Sequence, residues 1–130
     1  TLTFTLRMNS YSILIAEDDY FIAEAIDQIF LDLAINYKIV HSGKEVLEEY
    51  QLAYYDMVLL DIMMPDIDGF ETASTIRKTN SYIPIIALTS LDFEDIKQEI
   101  SESGINDYIK KPTGAKELKN LLLHYFTVAA

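Results

Sequence analysis

The sequence contains no cysteine, and this absence excludes several kinds of chemistry. A chain without thiols forms no disulfide bond, binds no metal through thiolates and has no cysteine nucleophile. Basic residues are also scarce. The chain has 10 Lys and Arg and 21 Asp and Glu, so its formal net charge is −11. Such a surface repels phosphate backbones and anionic lipid headgroups, so we expect neither direct nucleic acid binding nor membrane association. A cation or a basic protein surface is the expected partner.

Long apolar runs are missing as well. The longest ones are far shorter than the roughly 20 residues that cross a bilayer. The N-terminal segment has a single basic residue, Arg7, and lacks the longer apolar h-region of a signal peptide, so that pattern is not met. With 130 residues, half of them hydrophobic, the chain has the size of one globular domain. We interpret residues 11–126 as that domain, residues 1–10 as an N-terminal extension or tag remnant, and residues 127–130 as a C-terminal tail.

Short apolar runs alternate with segments of helical periodicity, five times along the chain. The predicted strands are Ser12–Ala16, Tyr37–Val40, Asp56–Leu60, Ile83–Leu88 and Asn106–Ile109. Three of them are continuously apolar, which is typical of parallel strands covered on both faces. The first helix has its predicted apolar face at Ile22, Ala25, Ile26, Ile29, Phe30 and Leu33. A capping box at Ser42–Glu45 predicts the start of the second helix, and Gly104 predicts the end of the fourth.

This alternation predicts a parallel sheet with right-handed crossovers. Five units in about 120 residues suit an α/β, flavodoxin-like, doubly wound (βα)5 fold, with a five-stranded sheet of order 2-1-3-4-5 and helices on both faces. Periodicity alone leaves a longer doubly wound order open.

Acidic residues follow two of the apolar strands. Glu17, Asp18 and Asp19 come after the first strand, and Asp61 comes after the third. In a sheet of this order both positions lie at the switch point where ligands bind. Carboxylates at ~5 Å repel by roughly 3 kcal/mol per pair at an effective dielectric near 20, so a compensating cation is needed. Oxygen ligands of this kind predict Mg²⁺, and Lys110 or Lys111 after the fifth strand would add a second positive charge.

The alternative interpretation is that these acids are solvated loop residues or favourable charges at helix N-termini. It applies best to Asp19 and least well to Asp61, because apolar residues follow Asp61 in the sequence.

Four segments resemble the receiver family of two-component signalling, and the resemblance extends over nearly the whole chain. They are ILIAEDD at 13–19, VLLDIMMPDIDGF at 58–70, ALTS at 87–90 and YIKKP at 108–112. The resemblance implies a response regulator receiver domain that accepts a phosphoryl group, with Mg²⁺ as cofactor, from the phosphohistidine of a sensor histidine kinase or phosphotransfer protein. It further implies a cytoplasmic protein that catalyses only its own phosphorylation and dephosphorylation and is not otherwise an enzyme.

The resemblance assigns a role to each matched position. Asp61 is the phosphoacceptor, and the implied metal ligands are Glu17, Asp18, Asp61 and the backbone carbonyl of Met63. The implied partners of the phosphoryl group are the Thr89 hydroxyl and the ammonium of Lys111, the lysine directly before the proline. The family also suggests a cis peptide bond between Lys111 and Pro112.

The resemblance also implies a switch. A phosphoryl group on Asp61 would draw Thr89 inward, and Tyr108 would turn into the vacated space. The result is a repacked face on helix four, strand five and helix five, where an output domain or a phospho-dependent dimer partner would dock. The surface of helix one, with Tyr20, Glu24 and Asp27 as exposed candidates, resembles the one that meets the phosphodonor.

The chain departs from the family at three positions. Thr113 stands where the family often has Phe, which should loosen the packing below strand five. Met63 and Leu91, two positions after Asp61 and Thr89, are apolar side chains that border the path of the attacking water. Since neither side chain can orient a water molecule, we expect slow autodephosphorylation.

Other classes fit the sequence less well. Asp66–Phe70 imitates the motif of haloacid-dehalogenase-type phosphatases, but Pro65 precedes it where an apolar strand is required. A flavin carrier needs a phosphate-binding loop where the acidic Glu17–Asp19 stands. An EF-hand that begins at Asp66 fails because its twelfth position is Arg77. A receiver-like interaction module that works without phosphate remains an open alternative.

Overall fold

The computed structural model describes residues 10–126. The strands are β1 (Ser12–Ala16), β2 (Asn36–Val40), β3 (Met57–Asp61), β4 (Ile85–Thr89) and β5 (Asp107–Lys110). The helices are α1 (Tyr20–Leu33), α2 (Gly43–Leu52), α3 (Gly69–Arg77), α4 (Phe93–Ser103) and α5 (Ala115–Phe126). All neighbouring strands are parallel, in the order β2-β1-β3-β4-β5, which confirms the predicted fold and removes the longer order.

The predicted tail and nearly all of the predicted N-terminal extension lie outside the described residues. Among residues 10–126, no helix combines the length and the apolar character that a membrane span requires.

Apolar side chains cover the sheet on both faces. On one face, Leu14 and Val58 pack with residues of α2, α3 and α4 such as Ile76. On the other face, Leu59 packs with residues of α1 and α5 such as Phe30. Because β1, β3 and β4 have a helix layer on each side, their residues alternate between two apolar environments and are nearly all buried. This double burial explains why their sequences are continuously apolar.

The last three strands each end one residue later than the sequence pattern predicted. Asp61, Thr89 and Lys110 are the final residues of β3, β4 and β5, and the register pairs Asp61 with Leu88. The start of β3 is also one residue later, since the Asp56 carboxylate accepts the backbone N–H of Ser12 at 2.8 Å. Asp61 and Thr89 therefore belong to the buried part of the sheet and are held by its hydrogen-bond ladder.

Helix α1 contacts the sheet through a narrower stripe than predicted. Its buried residues are Ala23, Ile26, Phe30 and Leu33. The prediction that Ala25 faces the core was wrong, because Ala25 is exposed and lies with Ile22 along an open groove beside the helix. These four buried residues are three, four and three positions apart, so they lie on one side of the helix and form a stripe that contacts the sheet.

The predicted helix boundaries at Ser42 and Gly104 agree with the structure. The Ser42 hydroxyl accepts the Glu45 N–H at 3.1 Å, and Gly104 ends α4 in the left-handed conformation with φ of 82°. One detail of the capping box differs, because the Glu45 carboxylate accepts the N–H of His41 at 2.8 Å instead of that of Ser42. Helix α4 starts differently from α1, α2 and α3, since its N-cap Asp92 makes no side-chain capping hydrogen bond.

We predict that Gly104→Ala lowers the free energy of unfolding by about 1–3 kcal/mol, measured by urea denaturation. Position 104 has a positive φ, and an added Cβ would lie 2.7 Å from Cγ of Arg77. The matched control is Gly114→Ala, where the nearest atom is Oε2 of Glu117 at 3.1 Å, the end of a flexible side chain. This control should change stability by less than about 0.5 kcal/mol, and equal losses in the two variants would contradict the argument.

Candidate functional site

Three acidic side chains converge where β1 and β3 end. Glu17 follows β1, is fully buried and accepts the N–H of Asp19 at 3.2 Å. Asp61 ends β3 and is 4% exposed, while Asp18 is half-buried beside them. One carboxylate oxygen from each of the three residues lies within 4.8 Å of the others. The strand order thus brings together residues that are more than 40 positions apart in sequence.

Lys111 supplies the positive charge of this cluster. Its Nζ lies 2.5 Å from Oε2 of Glu17 and 3.4 Å from Oδ1 of Asp61, and its side chain is 13% exposed. The backbone holds this position, because the Lys111 N–H donates to the carbonyl of Thr89 at 2.8 Å. The peptide bond to Pro112 is cis, as expected. Lys110 points elsewhere and forms an exposed ion pair with Asp92, so the choice between the two lysines falls on Lys111.

The charges in this cluster do not balance. Burial, a hydrogen bond with Asp18 and the charge of Glu17 raise the pKa of Asp61 to about 7, although Lys111 acts in the opposite direction. Three carboxylates with one ammonium leave excess negative charge in a poorly solvated place. Hard divalent cations with oxygen ligands compensate such charge, and Mg²⁺ needs only one or two carboxylates together with water. The donor set therefore fits Mg²⁺.

Two further expected residues border the same cleft. Thr89 ends β4, is 1% exposed, and its hydroxyl accepts the N–H of Leu91 at 3.2 Å. Met63 is exposed, and its N–H donates to Oδ1 of Asp61 at 3.3 Å. Tyr108 lies outside the cleft lining and is half-buried, with its hydroxyl donating to the carbonyl of Leu91 at 2.9 Å. Leu91 thus contacts both residues of the expected switch.

The cleft has a volume of about 220 Å³ and includes residues that the sequence analysis did not select. Among these, Asp19 caps α1 by accepting the N–H groups of Phe21 and Ile22, which is the alternative role considered for it. Ser90 follows Thr89 in the ALTS segment, so its position in the motif was an available signal. No sequence pattern marked Ile22 as a site residue.

A larger groove adjoins the cleft between α1 and the segment after β5. Its volume is about 440 Å³, its lining is mainly apolar, and it shares Ile22, Ser90 and Lys111 with the cleft. Thr113 borders this groove, and its hydroxyl is buried without a hydrogen-bond partner.

The exposed surface of α1 differs from the expected one at one position. Tyr20 is 71% exposed and Glu24 is exposed, in agreement with the prediction. The prediction that Asp27 is exposed was wrong, because Asp27 is half-buried and its carboxylate accepts the Tyr37 hydroxyl at 2.5 Å.

Comparison with known proteins points to one family. The family model described as response regulator receiver domain matches residues 13–123. The chain is 37% identical over 116 residues to the transcriptional regulatory protein YkoG of Bacillus subtilis, covering 85% of this chain and 49% of that protein. It is 27% identical over 130 residues to the peroxide stress-activated histidine kinase mak1 of Schizosaccharomyces pombe, covering 94% of this chain and 8% of that protein. The chain thus spans half or less of the curated relatives it matches.

Solved structures of the same kind superimpose closely. The receiver domain of the Francisella response regulator 1452 is 33% identical, with a TM-score of 0.82 over 90% of this chain and 97% of that one. The receiver domain of the sensor histidine kinase PA1611 from Pseudomonas aeruginosa is 27% identical, with a TM-score of 0.83 over 91% of this chain and 98% of that one. That structure has a magnesium ion coordinated in its active site cleft.

We predict that Asp61→Asn stabilises the protein at pH 8 without divalent cations. A pKa raised from 3.8 to about 7 means that the folded state binds its proton more tightly than the unfolded state. Ionisation of Asp61 therefore reduces stability as the pH rises from about 4 to about 7, and the full cost is present above pH 7. Removing the ionisable carboxyl should add about 2–4 kcal/mol to the free energy of unfolding at pH 8, and much less near pH 4.5.

Urea denaturation in EDTA at both pH values measures the effect. The matched control is Asp32→Asn, since Asp32 is exposed on α1 and should show almost no difference between the two pH values. A stabilisation by Asp61→Asn that is equal at pH 4.5 and pH 8 would contradict the assigned cause.

Proposed function

Because the chain belongs to the family of response regulator receiver domains, we propose that it is a switch set by Mg²⁺-dependent phosphorylation of Asp61. The observation that carries the proposal is the Asp61 carboxylate, buried at the end of β3 beside the Lys111 ammonium and the acid pair Glu17 and Asp18. The proposed donor is the phosphohistidine of a sensor histidine kinase or of a phosphotransfer protein. The cytoplasm is the proposed location, on the strength of the family.

In the proposed reaction, an Asp61 carboxylate oxygen attacks the phosphorus. A P–O bond forms, the P–N bond to the donor imidazole breaks, and the imidazole keeps the electron pair. Lys111 Nζ donates to a phosphoryl oxygen as negative charge spreads over that group. The Thr89 hydroxyl accepts the Leu91 N–H and can still donate its own proton to a second oxygen.

The metal ligands in this proposal are Glu17, Asp18, Asp61 and the carbonyl of Met63. When bound, Mg²⁺ supplies positive charge to the phosphoryl oxygens and keeps the Asp61 carboxyl ionised. Asp18 is the proposed direct ligand of the acid pair, because Glu17 already has an ion pair with Lys111.

The proposed switch passes through the segment that follows β4. A phosphoryl group would draw the Thr89 hydroxyl towards Asp61, and the segment from Ser90 to Asp92 would follow. The Tyr108 hydroxyl is hydrogen-bonded to Leu91 in this segment, so the movement would displace Tyr108. The proposed output surface is the face formed by α4, β5 and α5, and its partner is an output domain or a second phosphorylated copy.

The burial of Asp61 constrains the donor. Phosphorus must come within about 3–3.5 Å of the attacking oxygen, so a protein donor has to cover the rim of the cleft. That rim continues into α1 and the adjoining apolar groove, where Phe21 is 88% exposed. This supports the helix-one surface as the donor site.

The alternative is a receiver-like module that binds partners without accepting phosphate. Loss of the acid pair, the acceptor or the lysine would favour it. Glu17, Asp18, Asp61 and Lys111 are all present and line one cleft, so no residue of this set favours the alternative.

We expect acetyl phosphate with Mg²⁺ to add one phosphoryl group to the wild-type protein, detected by intact mass. Asp61→Asn and removal of Mg²⁺ should both abolish the adduct. Lys111→Met should reduce the rate at least tenfold, whereas the control Lys110→Met should retain it, because Lys110 lies outside the cleft. An unmodified wild-type protein would favour the alternative, and beryllofluoride binding then separates an inactive site from one that hydrolyses quickly.

We also expect the phosphoryl group to persist for minutes or longer after the donor is removed. Met63 is 63% exposed at the cleft and Leu91 is half-buried near it, and neither side chain orients a water molecule. The variants Met63→Asn and Leu91→Glu introduce polar atoms and should shorten the lifetime several-fold. The loss of the adduct is followed by intact mass against time, and a wild-type half-life of seconds would refute this expectation.

A further inference from the structure

The ring of His41 contacts the backbone of the acid pair. His41 directly follows β2, and its Nδ1 lies 3.0 Å from the carbonyl oxygen of Glu17. A carbonyl oxygen only accepts hydrogen bonds, so Nδ1 must carry a proton and donate it. The contact joins residues 24 positions apart in sequence.

This hydrogen bond stands where the sheet ladder stops. The N–H of Glu17 still donates to the carbonyl of Val40 at 3.0 Å, as in a parallel ladder. The next ladder bond would bring a backbone N–H after His41 to the carbonyl of Glu17, but the chain turns at Ser42 to begin α2. The His41 side chain replaces that missing donor.

His41 is itself held from two sides. Its backbone N–H donates to the Glu45 carboxylate at 2.8 Å, which ties it to the first turn of α2. The ring of Tyr20, the first residue of α1, stacks on the His41 ring with centroids 4.4 Å apart and an interplanar angle of 29°. The donor at Nδ1 therefore has a defined position.

We propose that His41 is a positioning residue for the metal ligands of the acid pair. The peptide unit between Glu17 and Asp18 is planar, so fixing the Glu17 carbonyl also fixes the direction in which the chain leaves towards Asp18. The Glu17 carboxylate has Lys111 and the Asp19 N–H as further restraints. Asp18 is half-buried, its carboxylate interacts with that of Asp61, and the rest of its positioning comes from its backbone.

The inference rests on the proposed function, because it concerns the affinity of the same site for Mg²⁺. Groups that orient metal ligands from behind typically change metal affinity by about 10–100-fold when lost. His41 acts through a single hydrogen bond one peptide away, so we expect a smaller effect, of about 3–10-fold.

Isothermal titration of the whole protein with MgCl2 tests the proposal. His41→Ala should raise the dissociation constant for Mg²⁺ about 3–10-fold. His41→Asn places an amide N–H close to the position of Nδ1 and should bind Mg²⁺ within about twofold of wild type. The control is His124→Ala, which removes an exposed histidine of α5 far from this hydrogen bond and should bind like wild type.

Two readouts separate positioning from a general loss of structure. In phosphorylation by acetyl phosphate, His41→Ala should raise the Mg²⁺ concentration for half-maximal rate, while the maximal rate stays within about twofold. Nitrogen-15 spectra of the imidazole rings, recorded without metal, should show the Nδ1–H form for His41. A dominant Nε2–H form would overturn the hydrogen bond and the proposal with it.

Different experimental results would contradict the role of His41 and the proposed function. Tight Mg²⁺ binding by His41→Ala, or equal weakening in His41→Ala and His41→Asn, would overturn the role of His41 and leave the function intact. A wild-type protein that does not bind Mg²⁺ would overturn both.

Discussion

Repulsion among three carboxylates is the constraint around which this molecule is organised. Glu17, Asp18 and Asp61 lie at the ends of two adjacent strands whose residues are nearly all buried, and the ammonium of Lys111 offsets part of their charge. Taken alone the cluster would push apart, so the apolar packing on both faces of the sheet must hold it in place. Burial first, and then the neighbouring carboxylates, raise the pKa of Asp61 in this position. A stable scaffold thus keeps a site that favours a bound cation.

Much of this arrangement was predictable from sequence, for a physical reason. A strand buried on both faces must be apolar throughout, so β1, β3 and β4 could be recognised as continuous apolar runs in the sequence. The alternation of these runs with helical segments restricts the possible topologies. The polar residues at strand ends were harder to place. Asp61, Thr89 and Lys110 look like the first residues of loops, yet they belong to the ladder. The motif segments lie at strand ends, and the strand ends meet at the cleft. This explains why the residues taken from those segments line it, namely Glu17, Asp18, Asp61, Thr89 and Lys111.

Contacts that depend on the meeting of distant elements were not predictable. The hydrogen bond between Tyr37 and Asp27 joins β2 to α1, and that between His41 and Glu17 joins the end of β2 to the end of β1. Neither residue pair has a periodic or motif signature. Ala25 shows a related limit, because an apolar residue near the edge of a helical stripe can face a groove as easily as a core.

The two adjacent lysines at the end of β5 have a mechanical consequence. Lys111 reaches into the cleft, while Lys110 holds Asp92, which leaves α4 without the side-chain cap that its N-cap residue would otherwise provide. One rigid peptide unit joins the two lysines. The backbone that carries the cleft ammonium therefore also carries the lysine paired with the first residue before α4. The start of α4 is thus connected to the cleft by an exposed ion pair as well as by the polypeptide chain.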